Sequence, residues 1–172
     1  MKKLQTGQTN PIIRPTSTVA LFARGREIGF VILDGRTITR YGVKTIKGKK
    51  QGSDLTRRVE RVLAPVLAMA GSHGLIVVER DVNLSRKGML CKAVHRLSEQ
   101  WRRRGYWVAS VSWKEVRERL CECREVTQYQ VSFAVVYQRH PLLWPLVKRS
   151  TVQQTKYWKK VLLAAALAEA VR

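Results

Sequence analysis

The sequence predicts an α/β fold in which a mixed five-stranded sheet is flanked by helices. Three observations carry that expectation. Two β-branched runs near the start are separated by turn residues, an apolar run (Leu75 to Val78) follows a helical pattern, and apolar positions elsewhere recur at helical spacing. At 172 residues the chain suits one such domain with a real core and is short for two.

Residues 1–17, with Pro11 and Pro15 among Thr, Ser and Gln, are expected to be a flexible leader, and residues 18–172 the domain. Thr18 to Phe22 and Ile28 to Leu33 flank Ala23-Arg24-Gly25-Arg26-Glu27, which is a hairpin pattern. Asp34-Gly35 is a second turn signal, and Thr37 to Lys47 offers a third antiparallel strand. Gly48-Lys49-Lys50-Gln51-Gly52 is a basic loop whose glycines let the backbone follow a phosphate chain. Asp54 is expected to cap a helix carrying Leu55, Val59, Val62, Leu63, Val66 and Leu67, with Pro65 as a kink or break and Gly71 and Gly74 at its end.

Leu75 to Val78 then reads as a buried parallel strand with Glu79 at its carboxyl end. Ser85 to Arg104 is an amphipathic helix, Tyr106 to Val111 a fifth strand, and Lys114 to Leu120 a short helix. Tyr129 to Gln138 is an apolar helix stopped by His140-Pro141, and Thr155 to Val171 is an Ala-rich closing helix. Three antiparallel strands, helix, strand, helix, strand and further helices is the order of the ribonuclease H-like fold.

Charge narrows the function. Thirty-three Lys and Arg stand against twelve Asp and Glu, a net +21, and self-repulsion on that scale is relieved by an anionic partner. Nucleic acid is the expected one, because phosphates release counterions as Lys and Arg neutralise them. No membrane partner is expected, since no apolar run approaches the ~20 residues that span a bilayer. The segment Met1 to Ser17 has no apolar core of the secretory kind, so a cytoplasmic location is expected. Cys91, Cys121 and Cys123 lack zinc-knuckle spacing and read as reduced thiols, while His73, His95 and His140 read as surface or cap residues. No metal or other cofactor is expected from these residues.

Several stretches resemble the RuvC-type Holliday junction resolvases, over roughly Thr18 to Arg172. In that family the first strand reads apolar-apolar-Asp-Pro-Gly, then Gly-Phe or Gly-Tyr. The corresponding stretch here is Ala20-Leu21-Phe22-Ala23-Arg24-Gly25-Arg26-Glu27-Ile28-Gly29-Phe30. An apolar strand ending in Glu is matched by Leu75-Ile76-Val77-Val78-Glu79, the Val-Lys or Val-Arg pair by Val116-Arg117, and the terminal helix by Tyr157-Trp158 through Leu167.

The resemblance implies a two-metal nuclease, which needs three or four carboxylates converging on a pair of hard cations about 4 Å apart. It also places the family's first Asp at Phe22, or at Ala23 if the register slips, and its terminal-helix Asp at Leu163. Neither Phe nor Leu binds Mg²⁺. Glu79 remains as a residual ligand, Asp81 lies two residues on, and Glu27 sits in the adjoining turn. These three are the acids from which a site could be rebuilt. Glu169, about 600° of helix rotation beyond Leu163, points elsewhere. Arg80 and Arg117 are candidates to pair with Glu79. The family's Lys-rich segment is represented by Arg124-Glu125-Val126-Thr127-Gln128, which puts its phosphate contact in doubt.

The expected phosphate-binding residues are Arg24, Arg26, Lys47, Lys49, Lys50, Arg86, Lys87, Arg117, Lys148, Arg149, Lys156, Lys159 and Lys160. The run Arg102 to Arg104 also reads as a helix end complementing the macrodipole. Among five tryptophans, Trp144 in its Pro-flanked loop is the expected base-stacking residue, the others being core candidates. The expectation is a non-cleaving nucleic-acid-binding protein, as a homodimer or a subunit of a larger nucleoprotein complex. Two alternatives stand beside it: a structure-specific endonuclease using Mg²⁺ or Mn²⁺, and a ribosome-associated structural protein.

Overall fold

The computed structural model describes residues 15, 17–48, 53–71, 74–80, 88–121, 125–145 and 152–172. Most of the expected leader lies outside them, as do Lys49, Lys50, Asp81, Arg86, Lys87, Lys148 and Arg149.

The strands are β1 (Ser17–Arg24), β2 (Glu27–Asp34), β3 (Thr37–Thr45), β4 (Leu75–Glu79) and β5 (Trp107–Val111). They form one sheet in the order β3-β2-β1-β4-β5, with β1, β2 and β3 antiparallel and β1, β4 and β5 parallel. The helices are α1 (Ser53–Ala68), α2 (Met89–Arg103), α3 (Trp113–Leu120), α4 (Gln128–Arg139) and α5 (Val152–Ala170), and a 3₁₀ turn spans Pro141–Leu143. The mixed five-stranded sheet flanked by helices is as expected.

Alternation along the strands sorts the core into two layers. Ala20, Phe22, Val31, Leu33 and Val77 face a cluster built from α3, α4 and α5. Val19, Leu21, Ile28, Phe30, Ile76 and Val78 face the other, built from α1 and α2. Because β1 and β2 are covered on both sides, their runs are apolar throughout rather than alternating. The β1–β2 turn is two residues long, and Gly25 takes φ +66° there. Gly29 has a different task. A Cβ on it would lie 2.4 Å from the Lys160 carbonyl carbon, so glycine is what lets α5 pass over β2.

Helix starts follow local chemistry. Ser112 and Glu115 form a reciprocal capping box at α3, and Thr127 and Gln130 form one at α4. Four expectations are corrected. Asp54 lies inside the first turn of α1 rather than capping it, and bonds Arg58 one turn on. Pro65 does not break α1, which runs to Ala68; the missing N–H forfeits one bond to the carbonyl a turn back, while the Pro65 carbonyl still accepts from the Met69 N–H. Lys47 lies beyond β3, which ends at Thr45. His140 caps α4 as expected but is no surface residue, being only 4% exposed.

Arg102 and Arg104 act as ties rather than as a free charge run. Arg102 bonds Glu99, the Ser110 hydroxyl and the Val108 carbonyl, and Arg104 pairs with Glu60 of α1 at 2.6 Å. Among the described residues, no helix is long and apolar enough to cross a membrane.

Candidate functional site

Parallel pairing of β1 with β4 brings the carboxyl ends of two central strands side by side. The register runs from Thr18 opposite Leu75 to Leu21 opposite Val78, so the next step sets Phe22 beside Glu79. Strand alternation then decides the register question raised by the sequence. Phe22 lies in the core layer beneath α5, as does Val77, and Glu79, two residues after Val77, shares that face. Ala23 turns to the opposite layer. Phe22, not Ala23, is Glu79's neighbour.

These residues line an open cleft of about 370 Å³. Its floor is Phe22 and Ala23, its rim Arg24 and Gly25, and Glu79 stands at the end of β4. Gly88 and Cys91 at the start of α2 close one side, and Gln128 at the start of α4 contributes another. A crevice at the carboxyl ends of parallel strands, flanked by helix N-termini, is the usual place for an anionic ligand in an α/β sheet.

Phe22 is 2% exposed and meets Trp113 edge to face, with ring centroids 6.1 Å apart and planes at 75°. Leu163 is 7% exposed in the same core cluster, among Val161, Leu162, Ala164 and Ala165. Neither side chain offers an oxygen. Among the described cleft residues only Glu79 supplies a carboxylate, and among the described residues no group of three His, Cys, Asp or Glu is placed to hold a metal ion. Hard cations need converging oxygens, so this donor set does not fit a two-metal centre.

The other acids named from the sequence are occupied elsewhere or outside the described residues. Glu27 pairs with Lys160 of α5 at 2.6 Å, tying β2 to that helix, and Asp81 is not described. Glu169 faces away from the cleft and pairs with His140 at 3.1 Å and Arg139 at 2.8 Å. Of the two cations considered for Glu79, Arg80 is bound to Glu115 at 2.7 Å, and Arg117 is half-buried on α3. Bonds from the Ser112 backbone N–H and hydroxyl hold the Glu115 carboxyl below its ordinary range, with Arg80 adding to the effect.

The basic residues divide by position. Arg24 and Arg26 are exposed at the β1–β2 turn, with Arg24 on the cleft rim and Arg26 beside a small neighbouring pocket that includes Gly48 and Met89. Lys47 is exposed and its carbonyl accepts a bond from Arg58. Lys156 is exposed on α5, Lys160 is committed to Glu27, and the Lys159 ammonium lies 4.5 Å from the centre of the Tyr129 ring. Trp144 is half-buried between Phe133 and Tyr137, at 5.2 and 4.9 Å. Trp101 and Trp113 are core, whereas Trp107 is exposed on the edge strand β5.

Sequence reading missed the groups around Glu169 and the row of rings on α4. Two partners of Glu169, Arg139 and His140, come from the end of α4 and lie about thirty residues away in sequence, with no spacing signal to join them. The α4 rings did leave one: Tyr129, Phe133 and Tyr137 are four residues apart.

No protein-family model matches the chain, and neither does any curated protein. Solved structures do. Thermus thermophilus RuvC is 14% identical with a TM-score of 0.56, covering 90% of this chain and 91% of that one. The yeast mitochondrial Holliday junction resolvase Ydc2 is 15% identical with a TM-score of 0.59, covering 93% and 81%. T. thermophilus RuvC in complex with Holliday junction substrate is 13% identical with a TM-score of 0.56, covering 90% and 91%. The chain therefore has the ribonuclease H-like fold of RuvC-type nucleases.

Proposed function

On the premise of that RuvC-type fold, we propose that this chain binds nucleic acid and does not cut it. One observation carries the reading. The position beside Glu79 on β1, where the resemblance expects an aspartate, holds a phenylalanine packed into the core against Trp113. Leu163 on α5 supports it from the helix side. A single carboxylate cannot assemble the charge that two cations require, whereas the rim retains Arg24 and the molecule a net +21.

Affinity comes mainly from phosphate contacts, so it falls steeply with salt and depends little on base sequence. The chain acts as a recognition or structural subunit, alone or within a nucleoprotein complex. One observation favours a second reading, a metal-dependent structure-specific endonuclease: Glu79 itself still lines the cleft.

Labelled four-way junction, single-stranded DNA and structured RNA, each incubated with the protein in Mg²⁺ or Mn²⁺, separate the two readings. Salt-sensitive binding with every substrate left intact is the expected result. Cutting that disappears in Glu79→Ala overturns it.

A further inference from the structure

We infer that the outer face of α4 is a stacking surface for unpaired nucleobases, so that the ligand includes a single-stranded stretch leaving the cleft; this rests on the nucleic-acid reading above. Val131, Ser132, Val135 and Val136 turn one side of α4 into the core. Tyr129, Phe133 and Tyr137, spaced four residues apart, lie along another side. Trp144, from the turn that follows, completes the row by packing edge-on between Phe133 and Tyr137. Tyr129 and Phe133 are 6.1 Å apart, so the rings form an unbroken series. At 1.5 Å per residue the row is about 12 Å long, room for about three stacked bases.

Position links this row to the cleft. Gln128, the first residue of α4, lines the cleft, and Tyr129 is the next residue. A strand whose phosphates lie at Arg24 and Gly25 therefore meets the aromatic row as it passes Gln128. Exposure rises along the way, since Tyr129 is half-buried and Tyr137 is 61% exposed.

Charge identifies the occupant. Lys159 stands over the Tyr129 ring at the cleft end, and α4 contains no Asp or Glu; Arg139, at the far end of the helix, is already paired with Glu169. A row of rings with a cation at its cleft end suits bases and phosphate respectively, and every base has a π-face, so the surface takes DNA or RNA without reading sequence. An apolar protein partner would leave Lys159 without an anion.

The test is fluorescence anisotropy at fixed salt with labelled oligothymidylate, labelled oligouridylate and a blunt duplex of equal length. Tyr137→Ala removes an exposed ring, and circular dichroism checks that the variant is folded. Losing one stacked base costs about 5- to 140-fold in affinity. The inference expects that loss on both single strands and a much smaller one on the duplex, with Tyr137→Phe retaining wild-type affinity because it keeps the ring. Unchanged single-strand binding in Tyr137→Ala, or an equal loss on the duplex, overturns the inference while leaving the nucleic-acid reading intact; a face used by a protein gives the first of these. A wild-type protein that binds none of the three probes overturns both.

Discussion

Phe22 and Trp113 meet edge to face at the floor of the cleft, one ring from β1 and the other from the first turn of α3. The contact joins the strand that a nuclease of this fold would use for catalysis to a helix packed beneath it. The position where the resemblance expects a carboxylate is here part of the core.

Truncating Phe22 should therefore behave as a core deletion. Phe22→Ala is expected to cost about 3–5 kcal/mol in urea denaturation, from lost burial and the cavity left against Trp113. A loss below about 1 kcal/mol would mean that the ring contributes little to the core.

The far end of the sheet predicts an acid dependence. Bonding from His140, together with Arg139 and Arg172, outweighs burial and lowers the Glu169 carboxyl from 4.5 to about 2. A carboxylate whose pKa is depressed on folding stabilises above its unfolded value and loses that contribution as pH falls through its folded one. The stability gap between wild type and Glu169→Gln should thus be constant above about pH 4.5 and close towards about pH 2. Urea midpoints measured across that range check it; a gap independent of pH contradicts it.

Gly29 is predicted to be intolerant of even one methyl group. In Gly29→Ala the added Cβ would meet the Lys160 carbonyl carbon and oxygen at 2.4 Å, which are backbone atoms that cannot swing away. Overpacking of this kind costs about 1–3 kcal/mol, and a thermal melt should show the loss. An unchanged melting temperature would mean that α5 shifts freely over β2.

Arg24 and Arg26 should act on affinity and leave stability alone, since both are exposed beside the cleft. If each neutralises one phosphate, the double alanine variant lowers the slope of log K against log salt by about 1.4–1.8. A parallel line with an unchanged slope would remove these residues from the interface.

The fold was legible because its signals are local. The β-branched apolar runs, Gly25 and Asp34-Gly35 at the turns, and the apolar run before Glu79 each speak for a few adjacent residues. The site was legible only in part. Phe22 stood out through the resemblance, but its orientation needed the β1–β4 register, a long-range fact. The Glu27–Lys160 and His140–Glu169 pairs join residues far apart in sequence, and nothing in their neighbourhoods announces the partner. Trp144 was read as a loop residue available for stacking; its rings of contact, Phe133 and Tyr137, were hidden inside a helix read only as apolar.

Titration of the protein with Mn²⁺, followed by calorimetry in wild type and Glu79→Ala, bears most directly on the account. With an aromatic ring and a leucine where oxygens would be required, the two proteins should give the same weak, non-saturating heats. Two saturable Mn²⁺ sites per chain, lost together in Glu79→Ala, would contradict it.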